Sequence, residues 1–183
     1  MEVERDTFWA LIDREKDALW RLSRGLTGGY DEALDLMSET FLAAYKSFAS
    51  LRDHSTFRQF LSTIAVRLYR RKRWRNRLFI SLEDAGELAY EVMSESSYDL
   101  DLLLVALTRL PLRQREAIVL FEITGLSLKE IQQIQGGTVQ GVKSRLSRAR
   151  HTLKQMLADE RFTLITAATE FELDPLTVSL QQP

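Results

Sequence analysis

The sequence predicts an all-α protein of two small helical domains joined by an acidic linker, the second domain carrying a helix-turn-helix. Three observations predict it. Apolar residues recur at three- and four-residue steps through most of the 183 residues, with only three prolines to interrupt them. Twelve of the twenty-five basic residues crowd into two acid-free segments, Arg67 to Arg77 and Lys143 to Lys154, while residues 78 to 102 hold seven acids and no Lys or Arg. Finally, Ser127 with Glu130, then Gly136-Gly137 and Thr138, spell a capped helix, a tight turn and the cap of a second helix.

The first helix places Phe8, Ile12, Leu19, Leu22 and Leu26 on one stripe, with Glu15 filling a stripe position and Gly28-Gly29 closing it. A second follows Asp31 and is expected to bury Leu34, Met37, Phe41, Tyr45 and Phe48. Its Glu32, Asp35 and Glu39 then form an exposed acidic face. The third opens around Ser55, buries Phe57, Leu61, Ile64 and Leu68, and turns wholly basic towards Arg77 with Tyr69 and Trp74 interleaved. Aromatics among arginines either pack a core or stack on unpaired bases; for Trp74 the core is the expectation.

Residues 78 to about 99 lose the period and read as a linker with at most a weak helical turn. The expected organisation is therefore a first domain over 1–77, a linker over 78–100, a second domain over 101–158 and a C-terminal extension over 159–183. In the second domain Leu103, Leu104, Leu107 and Leu110 restore the helical period. Pro111 sits in the first turn of a helix running to Ile123, Gly125 stops that helix, and the helix-turn-helix continues to about Ala158.

These features point away from catalysis. With no cysteine and two isolated histidines, the chain offers neither a disulfide framework nor a thiolate metal site. Asp35 and Glu39 are carboxylates at helical spacing, but with no histidine or metal-ligand partner nearby they read as a docking or solvated face. No catalytic residue, cofactor or metal is assigned. The first residues lack a signal peptide, and the longest apolar run, Leu102 to Leu107, is too short to cross a bilayer, so a cytoplasmic protein without membrane insertion is expected. The net charge of -1 conceals two basic modules, which together suit a polyanion held at two points. In the helix-turn-helix, Lys143, Arg145, Arg148, Arg150 and Lys154 supply long basic side chains of the kind that reach phosphates and base edges in a major groove.

Four segments carry a resemblance: Asp35-Leu-Met-Ser-Glu-Thr-Phe-Leu-Ala-Ala-Tyr, Phe57-Arg-Gln-Phe-Leu-Ser-Thr-Ile-Ala, Leu110-Pro-Leu-Arg-Gln-Arg-Glu-Ala-Ile-Val-Leu and Val142-Lys-Ser-Arg-Leu-Ser-Arg-Ala-Arg. In this order they resemble the extracytoplasmic-function sigma factors of bacterial RNA polymerase, over roughly residues 5 to 158. The resemblance implies a promoter-specificity subunit whose partners are core RNA polymerase, promoter DNA and an anti-sigma protein. It implies that Asp35, Ser38 and Glu39 dock on the polymerase clamp. It implies that the loop Arg52, Asp53, His54, Ser55 and Thr56, with Phe57 and Arg58, holds a base extruded from the minus-ten box, and that Arg67, Arg70 and Arg71 face the nearby DNA. It also implies that Thr138, Gln140, Lys143, Ser144, Arg145, Arg148 and Arg150 serve the minus-thirty-five box.

Three departures from the family pattern bear on packing. Gln135 and Gly137 stand where apolar residues are usual and are expected to loosen the helix-turn-helix, and Gly141 in the recognition helix costs about 1 kcal/mol relative to alanine. Two alternatives stand beside this reading: a sigma-like decoy that sequesters an anti-sigma regulator, which the altered turn would suit, and a stand-alone helix-turn-helix regulator. The tail beyond Asp159 combines apolar residues with acids and is expected to dock, either to complete a core or to cover the recognition helix.

Overall fold

A computed structural model describes residues 2–79 and 98–172, with side chains for 5–76 and 99–158. All its regular elements among the described residues are helical. The first half contains α1 (Glu2–Thr27), α2 (Tyr30–Ser47), two 3-10 turns (Phe48–Ser50 and His54–Thr56) and α3 (Phe57–Phe79). The second contains α4 (Tyr98–Arg109), α5 (Leu112–Ile118) running into a π-helical turn (Val119–Ile123), α6 (Leu128–Gln135) and α7 (Val139–Glu172). The expected linker falls almost wholly outside the described residues.

The α1 stripe forms as read, with Phe8, Ile12, Leu19, Leu22 and Leu26 all buried. Glu15 interrupts it because its carboxylate accepts from Arg58 of α3, Nε at 2.7 Å and Nη2 at 3.2 Å. The α2 stripe keeps Phe48 buried as read but is otherwise displaced by one position from the expected one. Ala33, Leu36, Thr40 and Ala44 are buried, Met37 and Phe41 are only partly so, and Leu34 and Tyr45 are exposed. The physical reason is size: small residues let α2 approach α1 and α3 closely, and Thr40 satisfies its hydroxyl by donating to the Leu36 carbonyl at 2.6 Å. In α3, Phe57 and Leu61 are buried and Ile64 and Leu68 partly so, but Ala65, Val66 and Tyr69 complete the core while Trp74 is 64% exposed, correcting its assignment to the core.

Two apolar clusters result. The smaller holds Phe8, Ile12, Ala44, Phe48, Phe57 and Leu61, with the Phe8 ring edge-on to those of Phe48 and Phe57 at 5.1 and 5.9 Å. The larger is shared by both halves: Leu22 and Leu26 of α1 and Val66 and Tyr69 of α3 lie in one cluster with Leu107, Leu110, Ile118, Val119 and Leu120. Gly25 permits this contact. A Cβ there would stand 3.0 Å from both Cγ atoms of Val119 and 3.2 Å from Ile123 Cδ1.

Candidate nucleic-acid interface

The helix-turn-helix is built from local chemistry. Ser127 caps α6 through its hydroxyl, which accepts from the Glu130 N–H at 3.3 Å, while the Glu130 carboxylate accepts from the Ser127 N–H at 2.8 Å. Gly136 and Gly137 end α6 at φ of 79° and 83°, a region where a side chain is strained. Thr138 then opens α7, its hydroxyl accepting from the Gly141 N–H at 3.1 Å.

One departure at this turn, Gln135, is held by its amide group, while its Oε1 is buried without a hydrogen-bond partner. Gln135 is buried, and its amide donates to the Arg113 carbonyl at 2.9 Å and to Glu116 at 3.1 Å. Arg113 returns a hydrogen bond to the Gln135 carbonyl at 2.9 Å. Polar bonds thus replace the apolar contact the family favours. At Gly141 an added Cβ would meet the Thr138 hydroxyl at 3.4 Å and Arg145 Nη1 at 3.6 Å, ordinary contact distances, so the position would accept alanine.

The basic residues of α7 divide by direction. Gln140, Lys143, Ser144 and Arg148 line one open groove together with Ser147. Lys143 and Arg148 are exposed, and Arg148 is braced by donating to the Ser144 carbonyl at 3.2 Å. Thr138 is exposed at the start of the same helix. Arg145 is half-buried, with its Nε and Nη2 shielded from solvent and without a hydrogen-bond partner. Its pKa is lowered, first by desolvation and then by Arg113, with Glu116 opposing and Arg148 adding to the shift. Arg150 turns elsewhere: it donates to Glu122 at 2.9 and 2.6 Å and lies over the Phe121 ring, 5.4 Å from its centroid. Sequence spacing missed this split because Glu122 lies far off in the chain.

On the first half, the loop from Arg52 to Thr56 is shaped by Asp53, whose carboxylate accepts from the Ser55 N–H at 2.9 Å and its hydroxyl at 2.6 Å. These bonds lower the Asp53 pKa, the Ser55 side chain contributing most. Arg52, His54 and Ser55 are exposed, and the His54 ring stacks on Phe48 at 5.2 Å. Phe57, expected to help hold an extruded base, is 2% exposed within the aromatic cluster.

Arg67 and Arg71 are exposed along α3. Arg58 and Arg70 are engaged across the molecule. Arg58 Nη1 donates to the Thr124 carbonyl at 3.4 Å besides its bonds to Glu15. Arg70 grips Glu116 in two parallel bonds, Nε to Oε1 at 2.7 Å and Nη2 to Oε2 at 2.6 Å. Glu116 has no exposed surface. An unpartnered carboxylate there would cost several kcal/mol, which the fork of Arg70 offsets. Arg115, also buried, donates to the Leu26 carbonyl at 2.9 Å, to the Tyr69 hydroxyl at 2.8 Å and to the Thr108 carbonyl. Sequence reading missed these two charges, since nothing local marks a buried ion pair.

The third expected site lies on α2. Asp35, Ser38 and Glu39 are exposed at helical spacing, and Leu42 continues the same face at 63% exposure. Asp35 is not wholly free, since Lys72 of α3 approaches it at 3.5 Å. Among the described residues no cluster of His, Cys, Asp and Glu could hold a metal ion, and no helix is long and apolar enough to cross a membrane.

Residues 11–79 match the family described as Sigma-70 region 2, and residues 100–153 match Sigma-70, region 4. The ECF RNA polymerase sigma factor SigE of Mycolicibacterium smegmatis is 32% identical over 157 residues, covering 81% of this chain and 60% of that protein. The ECF RNA polymerase sigma factor EcfG of Rhodopseudomonas palustris is 35% identical over 140 residues, covering 72% and 75% respectively. Among solved structures, the sigma factor RpoE in complex with the anti-sigma factor NepR from Bartonella quintana aligns with a TM-score of 0.66 at 27% identity, over 86% of this chain and 98% of that one.

Proposed function

Because the chain belongs to the extracytoplasmic-function sigma factors, we propose that it binds core RNA polymerase, directs it to promoters and works in the cytoplasm without chemistry of its own. The observation that carries this reading is the pairing of a capped helix-turn-helix, with Lys143 and Arg148 facing an open groove, with a separate basic helix beside the Arg52–Thr56 loop. One module suits duplex DNA. The other suits a strand that has left the duplex, where phosphate contacts and stacking offset the few kcal/mol needed to unstack a base.

In this division of labour, Asp35, Ser38 and Glu39 hold the polymerase. Arg52, His54 and Ser55, with Arg58, Arg67, Arg70 and Arg71, receive the minus-ten strand. Thr138, Gln140, Lys143, Ser144 and Arg148 read or position the minus-thirty-five duplex, with Arg145 beneath them. The expected linker, about 22 residues long, would reach roughly 75 Å fully extended, enough for both boxes to be held at once. An anti-sigma protein is the natural regulator, since the related RpoE is seen with NepR. The decoy reading loses support at Gln135, whose amide is tied into the turn by its bonds to Arg113 and Glu116.

Charge reversal tests the docking face. Asp35→Lys with Glu39→Lys is expected to abolish co-purification with core polymerase while leaving helix content, read by circular dichroism, unchanged. Undiminished binding would overturn the assignment.

A further inference from the structure

We propose that Trp74 is a base-stacking platform: its exposed indole takes the face of an unpaired base, and the arginines around it hold the neighbouring phosphates. The inference rests on the sigma-factor reading and deepens it, giving the basic half of α3 a contact to bases as well as to backbone.

Trp74 stands apart from the other two tryptophans. Trp9 is stacked on Tyr45 with ring centroids 6.5 Å apart, and Trp20 meets Tyr30 edge-on at 5.2 Å with the Arg24 guanidinium 6.0 Å from its centroid. Trp74 makes no ring or cation contact among the described residues and is 64% exposed. An indole so placed leaves in water a large apolar face that a flat partner would cover.

Its surroundings select the partner. Arg67 and Arg71 precede Trp74 at helical steps of four and three, so the three residues share one face of α3, and all are exposed, as are Arg73 and Arg75 on either side. The run from Arg67 to Arg77 contains no acid. The carboxylates that do approach it go to other members: Glu116 to Arg70 at 2.6 Å and Asp35 to Lys72 at 3.5 Å. Arg67, Arg71, Arg73 and Arg75 therefore have no carboxylate partner among the described residues. An uncharged ring face flanked by unpaired cations matches a nucleobase between its phosphates.

The ring adds what the arginines cannot. Single and double strands both carry phosphates, but a duplex keeps its base faces inside the stack, so an aromatic platform favours the unpaired strand. Every base has such a face, and the preference is for strandedness rather than for sequence. Trp74 lies 17 positions beyond Phe57, the start of α3, or about 25 Å along the helix. The base it takes is thus a second one, distinct from the base held at the Arg52–Thr56 loop.

The test titrates the purified chain at low salt with a labelled single-stranded oligothymidylate and with a duplex of the same length, following anisotropy of the label and emission of the tryptophans. Trp74→Ala and Trp74→Leu are expected to weaken single-strand binding by at least about fivefold, the lower end of what a base stacked on an aromatic ring contributes, and to leave duplex binding unchanged. Trp74→Phe, which keeps a ring, should retain most of the affinity. The quenching of wild-type emission by the single strand should shrink in Trp74→Phe, which still carries Trp9 and Trp20; this comparison decides the matter by itself if the alanine and leucine variants do not fold. Wild-type affinity in Trp74→Leu would mean that the site takes apolar area rather than a ring face, and would overturn the proposal. So would quenching that is unchanged in Trp74→Phe, or an alanine variant that keeps its oligonucleotide affinity and loses core polymerase in a pull-down, which would make Trp74 a protein contact. Pull-down of core polymerase by the wild-type chain, run alongside, reports on the sigma-factor reading alone.

Discussion

Arg148 and Arg145 lie one helical turn apart on α7, yet the structure gives them different surroundings and different expected phenotypes. Arg148→Ala, which removes an exposed groove residue, should weaken duplex binding by about 1 to 3 kcal/mol if the arginine grips a guanine. If it touches only phosphate, the loss is smaller and the salt slope falls by about one. Arg145 and Arg150 are turned inward or held by Glu122, so alanine there should cost less affinity than at Arg148. Fluorescence anisotropy across a salt series ranks the three, and a larger loss at Arg150 than at Arg148 would contradict the geometry. The Asp53 carboxylate makes a separate pH prediction. Its pKa is lowered below the ordinary 3.8, so its contribution to the loop is present above that value and lost as pH falls through the lower folded value. Titration followed by the Ser55 amide resonance should show a midpoint below 3.8, and one at or above it would mean that the Asp53–Ser55 bonds do not persist in solution.

Elements were legible in the sequence wherever their chemistry is local. The capping box at Ser127 and Glu130, the glycine turn and the Thr138 cap could be read because each needs only residues within a few positions of one another. Ser127→Ala should cost about 1 kcal/mol in urea unfolding, and adding Glu130→Gln should cost less than the sum because the two bonds form one motif. Packing direction was less legible. The period of α2 points to its large residues, but Ala33, Thr40 and Ala44 occupy the contact, since small side chains govern how closely helices approach. Leu36→Ala is accordingly expected to cost about 2 to 5 kcal/mol, whereas Leu34→Ala, at an exposed site, should cost far less. Melting both variants decides between the two registers. Trp74 was misassigned for the same reason: an apolar side chain in a basic run carries no local sign of which way the helix turns.

At the scale of the whole molecule, the sequence could announce two basic modules but not that they meet. Arg70, Arg115 and Glu116 pair over long separations, and no period or cap encodes that. The extension is likewise reshaped by the fold, because α7 continues past Ala158 to Glu172 and carries the chain away from the recognition segment. At about 1.5 Å per residue, Glu172 stands roughly 36 Å along α7 from Arg148. Truncation after Ala158 should therefore leave duplex affinity unchanged, and a gain would revive a masking role for the tail. The central claim is that this chain directs polymerase to promoters, and run-off transcription with purified core enzyme on a library of upstream DNA fragments tests it most directly. The account predicts discrete transcripts that require the chain and vanish with Asp35→Lys and Glu39→Lys; core enzyme that starts no new transcript in its presence would contradict it.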